Sequence, residues 1–250
     1  MSGVVRPVRA WLELGPLGAA SGGSRGDVVV IIDALRASVT VAAGLQAGAR
    51  RVIPVLTVEE ARAYLGDAGY RVAGERGGAK LPEFDFGNSP TEILAHRSEV
   101  SGRALVLTTS NGTRCVNAAL DGAAAVLIGS AVNASAAAHA ALSLAKAQDR
   151  DVTLVAAGLG GQPASEDTFA QRLLAARLVA LGAVLQPDVE PVDEAESLSV
   201  FLDSEAAGRL TRLGYVRDVH FCAEIDAWAS VPVYRADGFY SLAPSDPSSA

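Results

Sequence analysis

Val28-Val29-Val30-Ile31-Ile32 runs directly into Asp33-Ala34-Leu35-Arg36-Ala37-Ser38: an apolar, strand-like run breaks abruptly into a polar turn and then a helix-like segment. The same change recurs where Leu105–Leu107 meets Thr108-Thr109-Ser110-Asn111-Gly112-Thr113, and where Val126–Ile128 meets Gly129-Ser130-Ala131-Val132-Asn133-Ala134-Ser135. In an α/β sheet such turns lie at the carboxyl ends of strands. There, free backbone N–H groups and the positive end of a helix dipole face a crevice suited to an anion. Asp33 and Arg36 share one turn, so a carboxylate able to hold a hard cation stands beside a guanidinium able to hold an oxyanion. The pairing points to phosphate and a metal.

Outward from these turns the order is strand, helix, strand, helix. The strand candidates are Val28–Ile32, Arg51–Val55, Tyr70–Ala73, Leu105–Leu107, Val126–Ile128 and Val152–Ala156, followed late in the chain by Val219–Cys222 and Val231–Tyr234. Ala-rich Ser135–Gln148 and Glu166–Leu181 have the length and composition of helices that pack closely on a sheet. The fold class is therefore α/β, a largely parallel sheet flanked by helices. With Gly214 and Gly238 marking turns, the late strands either form a second small sheet near the C-terminus or continue the first. Val8, Ala10, Leu12 and Leu14 alternate with Arg9, Trp11 and Glu13, which predicts a first strand near an edge. One region spans residues 1–242, in one domain or two subdomains. Pro187–Glu196 reads as a surface segment, and 243–250 has the composition of a disordered tail.

The 250 residues are 50% apolar, enough for a substantial core. Lys and Arg number 21 against 28 Asp and Glu, a net charge of -7, which argues against nucleic acid as a partner. Arg6 and Arg9 before Trp11–Leu17 loosely imitate a signal peptide, but Glu13, Gly15 and Pro16 interrupt it. No stretch approaches the roughly 20 apolar residues of a membrane span, so the expectation is a cytoplasmic protein without a membrane partner. Cys115 and Cys222 form no CxxC motif and read as buried thiols. The Ala-rich helices permit a homodimer.

Asp33 ends a fully apolar strand, where an unpaired carboxylate is costly. It is either a metal ligand or catalytic carboxylate, or a helix cap paired with Arg36. In Gly74-Glu75-Arg76-Gly77-Gly78, glycines around an acid and a base let the backbone approach a ligand, although an ordinary turn would look the same. In Phe84-Asp85-Phe86-Gly87-Asn88-Ser89-Pro90, helix capping accounts for Asn88 and Ser89 but leaves Asp85 unexplained. Thr108–Thr113 is the strongest single site, able to gather hydroxyl and N–H donors around a phosphate. It has neither a Walker A Lys nor GxGxxG spacing. Asn133 and Ser135 read first as caps of the helix that follows. His96, His139 and His220 lie outside every motif.

Taken in order, these motifs, with Glu166-Asp167 and Phe221-Cys222-Ala223-Glu224-Ile225-Asp226, resemble the 2-phosphosulfolactate phosphatases (ComB) from about Val28 to Tyr234. The resemblance implies a Mg²⁺-dependent phosphatase on a ComB-like α/β fold, removing phosphate from 2-phospho-3-sulfolactate in coenzyme M biosynthesis, or from a related phosphorylated organic acid. Two departures are a changed approach to Glu166-Asp167, through Gly158–Ser165, and Ala207 where relatives often carry a histidine near Gly208-Arg209. Carried onto this chain, the expected site has Asp33, Glu75 and Asp85 on Mg²⁺, directly or through water. Arg36, Ser110, Asn111, Gly112 and Thr113 hold phosphate oxygens with help from Asn133 and Ser135, and Arg76 meets the sulfonate or carboxylate. Asp33, Arg36, Ser110 and Asn111 are the expected catalytic group. The lack of an Asp-x-Asp or Cys-x5-Arg motif favours attack by water, with a phosphoaspartate at Asp33 as the alternative. A noncatalytic phospho-ligand sensor is the competing reading, and a dinucleotide-binding oxidoreductase a weaker third.

Overall fold

A computed structural model describes residues 6–242. The predicted tail, 243–250, lies outside the described residues. Eleven strands follow one another along the chain: β1 (Arg9–Leu14), β2 (Val28–Ile32), β3 (Arg51–Pro54), β4 (Tyr70–Arg76), β5 (Ala79–Lys80), β6 (Ala104–Thr108), β7 (Ala125–Ile128), β8 (Val152–Ala156), β9 (Val184–Gln186), β10 (Val231–Arg235) and β11 (Gly238–Leu242). They form one sheet in the order β5-β4-β6-β3-β11-β10-β7-β2-β8-β1-β9.

β2 is central because all five of its residues are β-branched and buried, so both faces must be covered. Val28, Val30 and Ile32 join the core on one face, and Val29 and Ile31 join that on the other. Helices α1 (Gly15–Arg25), α2 (Ala37–Gln46), α3 (Val58–Arg62), α4 (Pro90–Ala95), α5 (Arg97–Val100), α6 (Gly112–Ala119), α7 (Ala134–Gln148) and α8 (Ser165–Ala180) connect the strands. Three short helices, α9 (Ser197–Leu202), α10 (Glu205–Arg212) and α11 (Val216–Cys222), follow β9. α1 forms although its sequence, GPLGAASGGSR, is poor in helix formers. Tertiary packing overrides propensity here: a Cβ at Gly22 would stand 2.9 Å from Thr153 Cβ, so the glycine lets α1 lie close against β8.

One expectation is corrected, and one open alternative is resolved. Val219–Cys222 is the end of helix α11, because its two fully buried residues, Val219 and Cys222, are three apart and share a helical face, whereas a strand would alternate. Of the two arrangements open to the late strands, Val231–Tyr234 joins the main sheet. β10 and β11 are an antiparallel hairpin set between β7 and β3, joined to them through Val233 opposite Leu127 and Phe239 opposite Val52. β1 lies one strand from the edge, parallel to both β8 and β9.

The hairpin divides the sheet into two parallel blocks, β9-β1-β8-β2-β7 and β3-β6-β4. Three successive antiparallel pairings reverse the second block relative to the first. Sheet twist, roughly 20–25° per step, accumulates to about 100–125° between β2 and β6 and turns the reversed directions back toward each other. Thus the carboxyl ends of β2 and β6 converge: the Gly112 N–H beyond β6 donates to Asp33 at the end of β2 over 2.9 Å.

Candidate active site

Asp33 leaves β2 where the chain turns into α2. Its backbone N–H donates to Ser38 Oγ at 2.8 Å, while its Oδ1 accepts the Ala37 N–H at 3.1 Å and its Oδ2 accepts that of Gly112. A Cβ at Gly112 would stand 2.8 Å from Asp33 Oδ2, so only glycine permits this approach. Burial pushes the Asp33 carboxyl up to about 6; the charges of Glu75 and Glu166 add to that rise, and the Ala37 and Gly112 N–H groups oppose it.

Glu75 lies near the end of β4. Its Oε1 accepts the Ser110 N–H at 2.8 Å and its Oε2 accepts the Gly78 N–H at 2.7 Å, so one carboxylate ties the glycine-rich turn to the Thr-rich turn. Asp33 and Glu75 are 8% and 6% exposed, and neither has an ion-pair partner among the described residues. Deeper in the same end of the sheet, Asp167 accepts the Ala34 and Gly158 N–H groups at 2.7 and 2.8 Å. Burial, and then the charges of Asp33 and Glu166, hold its pKa well above the usual carboxylate range. Burial also raises that of Glu166, against the charge of Arg209.

A pocket open to solvent lies over these groups. Asp33, Arg36, Glu75, Asn88, Ser110 and Asn111 line its polar side. Leu35, Leu159, Ala206 and Leu210 form an apolar wall, with Arg209 beside them. Asn88 is 4% exposed, and its Oδ1 has no hydrogen-bond partner among the described residues. Such an orphaned oxygen costs about 1–3 kcal/mol unless something fills its place. The Asn111 N–H, at the N-terminus of α6, likewise makes no hydrogen bond among the described residues.

Arg36 is in the wall, but its charge is already met. Its Nη1 donates to Asp218 at 2.7 Å, its Nη2 to the Gly78 carbonyl at 2.9 Å, and its guanidinium lies 4.3 Å from the centre of the Tyr215 ring. The Arg36 and Asp218 side chains are each 1% exposed. Asp218 also accepts the Ser89 and Thr91 hydroxyls at 2.9 and 2.5 Å.

Of the residues read from the sequence, the fold brings together Asp33, Arg36, Glu75, Ser110 and Asn111, with Gly112 supplying an N–H. It does not bring in the others. Arg76 donates to the Glu75 carbonyl and to Thr108 Oγ1. Asp85 accepts the Val72 N–H at 2.7 Å and so finishes an edge of the sheet. Thr113, in α6, returns its hydroxyl to the Thr109 carbonyl in the turn before the helix. Asn133 accepts the Ser130 N–H and donates to the Ser230 carbonyl, and Ser135 bonds Asp226. The expected ligand trio Asp33, Glu75 and Asp85 is thus not formed, and among the described residues no three His, Cys, Asp or Glu side chains gather as a metal site.

Asn88, Arg209 and Asp218 were missed. Capping was a sufficient reading of Asn88-Ser89-Pro90, yet Ser89 alone performs it, accepting the Glu92 N–H at 3.2 Å. Arg209, on α10, is marked in the sequence only as half of the Gly208-Arg209 pair, and Asp218, on α11, carries no local signal of a site.

The family described as 2-phosphosulpholactate phosphatase matches residues 19–237. A probable 2-phosphosulfolactate phosphatase of Thermus thermophilus is 39% identical over 84% of this chain and 88% of its own length. A 2-phosphosulfolactate phosphatase of Methanothermobacter thermautotrophicus is 39% identical over 85% and 88%, and a probable one of Deinococcus radiodurans is 34% identical over 82% and 87%.

Proposed function

Because the chain belongs to the 2-phosphosulfolactate phosphatase family, and is thus a phosphoric monoester hydrolase, we propose that it hydrolyses 2-phospho-3-sulfolactate or a closely related phosphorylated hydroxy acid with Mg²⁺. The observation that supports the reading is the oxygen set of one pocket: two buried carboxylates, Asp33 and Glu75, without ion partners among the described residues, beside the Asn88 Oδ1 that is unpaired among them. Hard oxygens few in number suit Mg²⁺, which keeps several of its waters. Asp33, Glu75 and Asn88 would hold it. When bound, it supplies charge neutralisation at the phosphate and makes water more acidic.

The chain's own groups do the positioning that a loose phosphoryl-transfer transition state requires. The Asn111 N–H, the Ser110 hydroxyl and the positive end of α6 receive phosphate oxygens. Asp33 and Glu75 fix that loop by accepting the Gly112 and Ser110 N–H groups, so the donors need no rearrangement on binding. Leu35, Leu159 and Leu210 limit water beside the ester. Both Asp33 oxygens already accept backbone N–H groups, which lowers their nucleophilicity and favours attack by water over a phosphoaspartate. The test is phosphate release from a panel of phosphorylated hydroxy acids. Activity should vanish with a chelator and return with Mg²⁺; a panel with no turnover refutes the reading. Acid-quenched enzyme should hold no covalent phosphate.

A further inference from the structure

We propose that Arg209 determines specificity in this pocket by binding the second acid group, carboxylate or sulfonate, of a substrate that carries one near its phosphate ester. The inference deepens the phosphatase reading and rests on it. Two guanidinium groups line the pocket. That of Arg36 is sequestered, bonded to Asp218 and to the Gly78 carbonyl. Arg209 differs. Its one ion-pair partner among the described residues is Glu205, a turn back on α10, at 3.7 Å and with a side chain 83% exposed. A contact so long and so wet holds the guanidinium weakly.

The helix beneath it is held firmly. Ser204 Oγ accepts the Ala207 N–H at 3.0 Å at the start of α10, and Ala207 and Leu210 are buried under it. The Arg209 stem lies beside the Gly78 turn, close enough that a Cβ there would be 3.8 Å from its Cδ. Leu35, Leu159, Ala206 and Leu210 surround the space it faces, and an ion contact against such a wall is stronger than in open water. A phosphate monoester with no other charge is served by Asn111, Ser110 and the oxygen set. A further cation in the same pocket, near the buried Glu166 carboxylate but not ion-paired with it, suits a further anion on the ligand. Arg76, expected to fill this role, is turned to Thr108 instead.

The test compares wild type, Arg209→Ala and Arg209→Lys, each with an unchanged unfolding midpoint, on 2-phospho-3-sulfolactate and on isopropyl phosphate, which has no second acid. Arg209→Ala should lower the ratio of kcat/KM between the two esters at least tenfold, chiefly through KM, and Arg209→Lys should recover part of it. A calorimetric titration with 3-sulfolactate, which has acid groups but no phosphate, should show affinity at least tenfold weaker in Arg209→Ala. An unchanged ratio with unchanged 3-sulfolactate affinity overturns the proposal. If the wild type hydrolyses neither ester, the phosphatase reading fails and the titration alone decides: weakened binding keeps Arg209 as the anion site, and equal or absent binding removes it.

Discussion

At the scale of the residue, Asp33 does two things with one side chain: each oxygen accepts a backbone N–H, and each keeps a lone pair for the pocket. Asp33→Asn retains one acceptor and turns an NH₂ group toward the other N–H. The cost is about 1–3 kcal/mol, offset because no charge is then buried. The variant should remain folded while Mg²⁺ affinity falls at least roughly tenfold and turnover by more, since even partners that only orient a metal ligand contribute about 10–100-fold. Calorimetric Mg²⁺ titration beside an unfolding scan separates the two effects; wild-type affinity and turnover would leave Asp33 only a cap. The cysteines behave oppositely. Burial, and then the charges of Asp33 and Asp167, push Cys115 up to about 12, and burial raises Cys222 as well, so neither supplies a thiolate near neutrality. Cys115→Ser and Cys222→Ser should each keep most turnover, with melting temperatures lowered by the buried hydroxyl. Abolished turnover in either folded variant contradicts attack by water.

Among elements, the Arg36–Asp218 pair links the turn after β2 to α11, and through Ser89 and Thr91 to the start of α4. Removing one partner leaves the other charge buried and unpaired, which costs about 3–5 kcal/mol. Arg36→Met and Asp218→Leu should therefore each lower the urea midpoint sharply. The double variant should lose less than the sum, and strict additivity in that cycle would mean the pair carries no coupling. This pair also marks where sequence reading stopped. The passage from β2 to Asp33 and from β6 to Ser110 was legible because a change from apolar strand to polar turn is local, and a buried carboxylate at a strand end announces a need for a partner. Arg36 reads from its own turn as a phosphate ligand and catalytic group, because the partner that takes up its charge, Asp218, lies 182 residues away. Asp85 misled for the converse reason: nothing between its two Phe neighbours shows that it will accept a strand N–H from Val72. The helicity of Val219–Cys222 was hidden because four apolar-leaning residues fit either period.

For the whole molecule, two features set stability. At the amino end, Asp151 receives Arg6 Nη1 at 2.6 Å and the Arg9 N–H at 3.0 Å, tying the entry of β1 to that of β8. Burial alone would raise its pKa, but the Arg9 N–H and the Arg6 and Arg9 guanidinium groups outweigh that and hold it below the usual carboxylate value. Since the folded value is the lower one, its contribution is full above the unfolded value of about 3.9 and is lost as pH falls through the folded value. Asp151→Asn should thus cost about 1–2 kcal/mol near neutrality, less than a buried pair because both arginines are half exposed, and the difference from wild type should shrink below about pH 4. Unfolding curves across that range check it. The second feature is the hairpin between the two blocks. Phe239, fully buried there, should cost about 3–5 kcal/mol as Phe239→Ala, read from chemical unfolding. The hairpin is also the last of the described elements to leave a ribosome. Every pocket residue has emerged by then, yet the apolar edge of β7 and that of β3 still lack the strands between them. Until the hairpin has emerged, the nascent chain carries two half-sheets with open edges, each a template for mispairing with a neighbour. A message truncated before codon 231 should yield an insoluble product that still contains every residue lining the pocket.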